Sequence, residues 1–194
     1  MKKNKKGFTL IELLAVIVIL GILLAIAIPA VAKYINNARK STYIANVQSY
    51  AQAAMKEALA VDGKYLPPVN TNEATVISFG VLQDSLENGG KTSPYGADWN
   101  KDNSYVIVVN SKSAEEPKYT YYIAAIDEKG YGIGVNKAAT AMVYTDLKEA
   151  NILQLGNNGI SYSDVATQIN PAICITSVYT ESESKTGQQI GSCD

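Results

Sequence analysis

Histidine is absent from this chain. A Ser-His-Asp triad, a histidine general base and a histidine-ligated zinc enzyme are therefore excluded by composition. There is no G-x-x-x-x-G-K-[ST] phosphate loop and no G-x-S-x-G nucleophile elbow. Cysteine is scarce: Cys174 and Cys193 are the only two, both within the last 21 residues. They form no C-x-x-C redox pair, and two thiols without histidine make a poor metal site. In an exported chain they read as a disulfide closing a 20-residue loop, worth about 3 kcal/mol in the chain-entropy model. The alternative is two free, buried thiols.

Charge is missing from one stretch altogether. Residues 13–32 contain no Asp, Glu, Lys or Arg, although the whole chain carries 17 basic and 18 acidic residues. Lys2, Lys3, Lys5 and Lys6 all precede Gly7. Without those four lysines the remainder has 13 basic and 18 acidic residues, a net charge of −5. A weakly acidic body does not suggest nucleic acid as a partner. The 194 residues suffice for one domain with a proper core.

Twenty uncharged helical residues span about 30 Å, the thickness of a bilayer hydrocarbon core. The clustered lysines should stay on the cytoplasmic side. One reading is an ordinary secretory signal, and Ala30-Val31-Ala32 looks like its cleavage site. A second is a plain single-pass anchor. Two features oppose both. The apolar run exceeds the roughly 7–15 residues of a usual signal core. Glu12 places a carboxylate at the start of that run, where an ionisable group is costly and usually functional.

The residues Lys6-Gly7-Phe8-Thr9-Leu10-Ile11-Glu12-Leu13 resemble the class III signal of type IV prepilins. The resemblance is close over about residues 2–60 and architectural beyond. It implies cleavage between Gly7 and Phe8 by a prepilin peptidase and N-methylation of Phe8. It also implies that Glu12, then the fifth residue, neutralises the new amine of a neighbouring subunit during assembly. The short leader and the mature Phe resemble the type IVa group. Implied partners are further copies of this chain in a helical filament, a platform protein and a separate ATPase motor. The implied route runs from a single-pass precursor in the cytoplasmic membrane to an extracellular surface filament. No catalysis, cofactor or metal is expected.

Helix is expected from Leu10 to Val61, because Ile44, Val47, Ala51, Ala54, Met55 and Ala58 keep one apolar face. Gly63 is its expected C-cap. If residues 8–61 were all helical, they would span about 80 Å. Gly21 and Pro29 interrupt the membrane half, and the resemblance implies that the stretch between them unwinds in the filament.

Residues 64–72 read as a loop, and residues 74–86 as either a short helix or a strand. Residues 104–110 (SYVIVVN), 119–126 (YTYYIAAI), 131–135 and 172–179 (AICITSVY) read as strands. Residues 127–130 form a turn between neighbouring hairpins of an antiparallel meander, and residues 142–151 read as a short helix. The tail to Asp194 is polar, loose unless a disulfide ties it. The expected fold is α+β: a long N-terminal helix, half hydrophobic and half packed on an antiparallel sheet. The divisions are leader 1–7, hydrophobic half 8–32, amphipathic half 33–62 and head 63–194. The loop between Cys174 and Cys193 resembles, by position, the disulfide-bounded loop of many pilins.

Four features tempt toward other chemistry. Gly130-x-Gly132-x-Gly134 opens no helix and reads as part of a β-turn. Asp98-x-Asn100-x-Asp102-x-Ser104 copies the first half of a calcium loop but has Val109 where the bidentate Glu belongs, so an Asx-rich turn is the reading. Pro94-Tyr95-Gly96 with nearby Asp also resembles a loop of major pseudopilins that can bind calcium. The 13 tyrosines fit half-buried strands. The function read here is a structural pilus subunit serving motility, adhesion or DNA uptake. The alternatives are a pseudopilin of a secretion or competence system, whose body is usually smaller, and a secreted or anchored binding protein cut after Ala32.

Overall fold

The computed structural model describes residues 7–60, 63, 65–68, 72–86, 90–111, 118–157 and 159–181, with the backbone of residues 188–189. Helix α1 is Leu10–Ala60, with Pro29 inside it. Chain contacts divide the protein into two compact units, Met1–Ala38 and Arg39–Asp194. In the first, the described residues are the start of α1 and its apolar run.

In the second unit, α1 buries Tyr43, Val47, Tyr50, Ala51, Ala53, Ala54 and Ala58. Four of these are on the expected face; Ile44 and Met55 are only half-buried. Tyr43 and Tyr50 take the deep positions instead; their rings supply apolar area, and the Tyr43 hydroxyl donates to the Tyr131 carbonyl at 3.0 Å. The helix closes as expected: Gly63, at φ +74°, donates its N–H to the Ala58 carbonyl at 3.0 Å. Val61 lies outside the described residues.

The strands are β1 (Glu73–Ser78), β2 (Thr92–Ser93), β3 (Ala97–Asp98), β4 (Tyr105–Asn110), β5 (Tyr119–Ala124), β6 (Tyr131–Val135), β7 (Ala138–Ala139), β8 (Met142–Val143), β9 (Ile152–Gln154), β10 (Cys174–Tyr179) and β11 (Gln188–Gln189). Two short helices accompany them, α2 (Phe79–Leu82) and α3 (Tyr162–Ile169). The main sheet has the order β11-β10-β1-β4-β5-β8. It is antiparallel except where β1 meets β10 in parallel. There the register slips between Ala74 and Thr75, and Thr176 of β10 turns its hydroxyl onto the Ala74 carbonyl at 3.1 Å.

Both faces of this sheet are covered. Ile77, Val106, Val108 and Ile123 join Tyr43, Val47, Tyr50 and Ala54 of α1. Ala74, Val76, Ile107 and Val109 join Val165 of α3 on the other face. Hence β1 and β4 are buried at every position; β4 shows a continuous apolar run instead of alternation, while β1 also buries Glu73, Thr75 and Ser78. The ambiguous residues 74–86 resolve into both forms, strand β1 followed by α2, with the Ser78 hydroxyl accepting from the Gly80 N–H as the cap.

Two expectations fail here. The β4–β5 hairpin forms, and Gly130 N–H bonds to the Asp127 carbonyl in the expected turn. The meander continues across that turn only as a short antiparallel bridge, Ile126 opposite Gly132, with Ile133 N–H donating to the Ala125 carbonyl and Asp127 N–H to the Tyr131 carbonyl, each at 2.8 Å; β6 otherwise pairs with β7 and β9 in a separate three-stranded sheet. The β5 edge is taken by β8, which lies inside the segment read as helix. Of residues 142–151 only Glu149–Asn151 is helical, a single 3-10 turn, and β9 follows directly. Hydrogen bonds from α1 fix this irregular segment: Gln48 donates to the Tyr144 carbonyl at 2.8 Å, and Ser41 to Glu149. The glycines of β6 are needed for space. A Cβ on Gly132 would lie 2.8 Å from the Ala125 carbonyl, and one on Gly134 2.5 Å from that of Ala138.

Aromatic rings join α1 to the sheet. Tyr50 stacks on Phe79 at 3.7 Å and Tyr95 on Tyr131 at 3.7 Å. Trp99 stands edge-on to Tyr43, at 4.9 Å, and to Phe79, at 5.6 Å. Burial raises the phenols of Tyr95, Tyr105 and Tyr121 above the ordinary value of 10.0; Tyr131, Asp102 and Tyr119 respectively add to the effect.

Two outcomes are expected. Gly132→Ala forces a methyl against fixed backbone, an overpacking cost of about 1–3 kcal/mol. Thermal unfolding of the full chain in detergent should show a midpoint lower by roughly 3–10 °C. Raised phenols act on alkaline stability: below pH 10 they are neutral in both states, and above it the unfolded chain loses protons that the folded chain keeps. The melting midpoint should thus hold steady up to about pH 9.5 and fall beyond pH 10. Phenolate absorbance should rise in a second step coincident with unfolding; a single step that accounts for all 13 tyrosines in the folded protein would contradict this.

Candidate assembly site at the start of the first helix

Gly7, Phe8 and Thr9 precede α1 without regular structure and are exposed. Lys2, Lys3, Lys5 and Lys6 lie outside the described residues. A Cβ on Gly7 would meet nothing within 4 Å, so the fold of this chain does not demand glycine there. Phe8 is 89% exposed.

The first turn of α1 is closed by a reciprocal pair. Glu12 Oε2 accepts from the Thr9 backbone N–H and from the Thr9 hydroxyl, each at 2.8 Å. Thr9 Oγ1 in turn accepts from the Glu12 N–H at 3.4 Å, and the Leu13 N–H reaches the Thr9 carbonyl at 3.3 Å. This is a capping box, which satisfies N–H groups that a helix start leaves without partners. The carboxylate also lies at the positive end of the helix dipole. The turn therefore holds Glu12 against the Phe8–Thr9 peptide, one residue from where a cut after Gly7 would create an amine.

Thr9 is the site residue that sequence reasoning missed. Its signal was present: Thr9-x-x-Glu12 ahead of an apolar run is the spacing of a capping box. Beyond it, from Leu10 to Val31, every large apolar side chain is at least half exposed. The helix is long and apolar enough here to cross a membrane. Gly21 has open space around it, and α1 continues through Pro29.

The remaining expected site residues are elsewhere. Cys174 opens β10, and no free cysteine occurs among the described residues. Cys193 lies outside them. The Asp98–Ser104 segment is an Asx turn, with Asn100 Oδ1 accepting from the Asp102 N–H at 3.2 Å. No cluster of three or more metal-ligating side chains occurs among the described residues.

Comparison with known proteins agrees with this geometry. Residues 2–28 match the family model described as the prokaryotic N-terminal methylation motif. The chain is 29% identical over 131 residues to a fimbrial protein of Pseudomonas aeruginosa, covering 68% of this chain and 84% of that one. It is 44% identical over 64 residues to the type IV major fimbrial protein FimA of Dichelobacter nodosus, covering 33% of this chain and 40% of that one. It is 40% identical over 89 residues to the type IV major alpha-pilin of Moraxella bovis, covering 46% and 48%. No solved structure matches. The chain thus carries the methylation motif, is related to type IV pilins, and has the α+β architecture of a long helix packed on a sheet.

Proposed function

We propose that this chain is a structural subunit of a type IV pilus, made as a membrane-held precursor and polymerised into a surface filament. The observation that carries the reading is the run of exposed apolar side chains from Leu10 to Val31, headed by one capped carboxylate. Apolar area on this scale is not left in water; a bilayer can cover it before assembly and the same helix of other copies can cover it afterwards. Cleavage between Gly7 and Phe8 by a prepilin peptidase frees an amine that is cationic near neutral pH. Methylation of Phe8 leaves that charge in place. In the membrane the capping box keeps Glu12 beside the amine of its own chain. In the filament the carboxylate neutralises the amine of a neighbour, and the pair sets the register between subunits. A platform protein and an ATPase would drive the addition, since no nucleotide motif is present in the sequence.

The relatives are fimbrial proteins and a major alpha-pilin, which supports a pilus over a secretion pseudopilin. Continuity of α1 through Ala30-Val31-Ala32 argues against that site as an ordinary signal cleavage point. At the other end of the chain, Cys174 and Cys193 are proposed to pair. Strands β10 and β11 run antiparallel, with Ser177 opposite Gln189 and Val178 opposite Gln188.

Intact-mass measurement of sheared surface filaments should give a chain starting at Phe8 with one added methyl group. Glu12→Ala should be cut and should insert in the membrane, yet yield no filaments; normal filament yield from the cleaved variant would remove the amine–carboxylate pair as the register device. The disulfide has its own check. Reduction should lower the thermal midpoint, following the loss of about 3 kcal/mol for a loop of this length, and equal melting in both states would rule the bond out.

A further inference from the structure

The hairpin of β2 and β3 carries the loop Ser93-Pro94-Tyr95-Gly96, and the carbonyls of Tyr95 and Gly96 converge on a single point. That point is occupied by a side chain from elsewhere in the sequence. Lys129 Nζ donates to the Tyr95 carbonyl at 2.8 Å and to the Gly96 carbonyl at 3.0 Å. Gly96 has φ +74°, and a Cβ there would come within 3.5 Å of the ammonium. The base of Lys129 is fixed as well. Its backbone N–H and that of Tyr131 donate to Asp127 Oδ1, at 3.0 and 2.9 Å, while the Ser93 hydroxyl donates to Oδ2. Asp127 is buried at 2% exposure, so both its oxygens are spent on the turn and the loop. Glu128 N–H completes the stitching by donating to the Asp98 carbonyl at 3.0 Å.

Two converging carbonyls beside a carboxylate are the beginnings of a calcium site, which needs 6–8 oxygens around the ion. Here the oxygens do not fit a metal. The carbonyls already hold a cation, both carboxylate oxygens are engaged by three donors from the turn and the loop, and no cluster of three or more metal-ligating side chains occurs among the described residues. We propose that Lys129 is the resident cation of this loop: its ammonium takes the place a divalent ion would fill, so the Ser93–Asp98 segment holds its shape without metal. The lysine arrives on the 127–130 turn, so the same contact ties the β5–β6 turn to the β2–β3 hairpin. Charge-assisted bonds to the two carbonyls carry the tie. Lys129 is largely exposed, and screening by water keeps its effect modest.

The chain supplies its own reporter. Trp99 is the single tryptophan, 3% exposed, bonded through Nε1 to the Gly90 carbonyl and bridged in strand fashion to Asp127. The test follows thermal unfolding of the full chain in detergent by Trp99 fluorescence, with calcium chloride or with a chelator, for the native protein, Lys129→Met and Lys129→Arg. The native midpoint should be the same under both conditions. Lys129→Met keeps the aliphatic stem and loses the cation, and its midpoint should fall by roughly 2–6 °C. Lys129→Arg, which keeps the charge, should recover at least half of that loss. The proposal is overturned by a native midpoint that rises with calcium, by Lys129→Met melting with the native protein, or by Arg doing no better than Met.

Discussion

A helix whose apolar side chains are exposed on all sides over six turns has to be covered by something other than its own domain. That constraint governs the rest of the chain. The bilayer and a bundle of like helices are both apolar enough to cover it, and moving from one to the other leaves the hydrophobic term nearly unchanged. The balance between them then rests on polar groups, and in this run the acidic one is Glu12. The capping box with Thr9 keeps that carboxylate oriented before any partner arrives. A single polar residue can therefore decide register on a surface that is otherwise uniform.

The second unit has the opposite character. Its sheet is covered on both faces, by α1 on one side and α3 on the other, and the aromatic cluster of Tyr43, Tyr50, Phe79 and Trp99 fills the space beneath α1. Interlocked rings resist sliding better than a face of alanines alone, since edge-to-face contacts have preferred geometry. Irregular segments are held to this core by side-chain bonds to backbone, such as Gln48 to Tyr144 and Trp99 to Gly90.

Much of this could be read in the sequence. The long helix, the Gly63 end, strands β4, β5, β6 and β10 and the turn at Asp127–Gly130 were expressed by local pattern, where burial and turn chemistry act over a few residues. What failed was set at long range. Residues 142–151 have helical composition, but the open edge of β5 and the donors of α1 make a strand and a single turn of them. The pairing of β6 with β7 and β9, beyond its bridge at Gly132, is set by neighbours outside the strand, which no single strand discloses. Helix α3 went unread although Ser161 accepts from the Asp164 N–H in the spacing of a cap. At the start of α1, Glu12 was legible from one motif; its partner Thr9 was overlooked because its role is reciprocal and local.

The parallel pairing of β1 with β10 has a consequence for how the chain is made. Glu73 and Cys174 are neighbours in the sheet, yet about a hundred residues separate them along the chain. A ribosome adding roughly 5–20 residues per second needs on the order of 5–20 s to supply the second strand after the first. Throughout that interval one edge of β1 is unpaired, and an unpaired edge invites strands from other chains. Anchoring by the N-terminal helix would keep nascent copies confined to a surface and spaced apart while their last strands are still to come. The segment proposed to drive association would thus serve, during synthesis, to keep the unfinished heads from meeting.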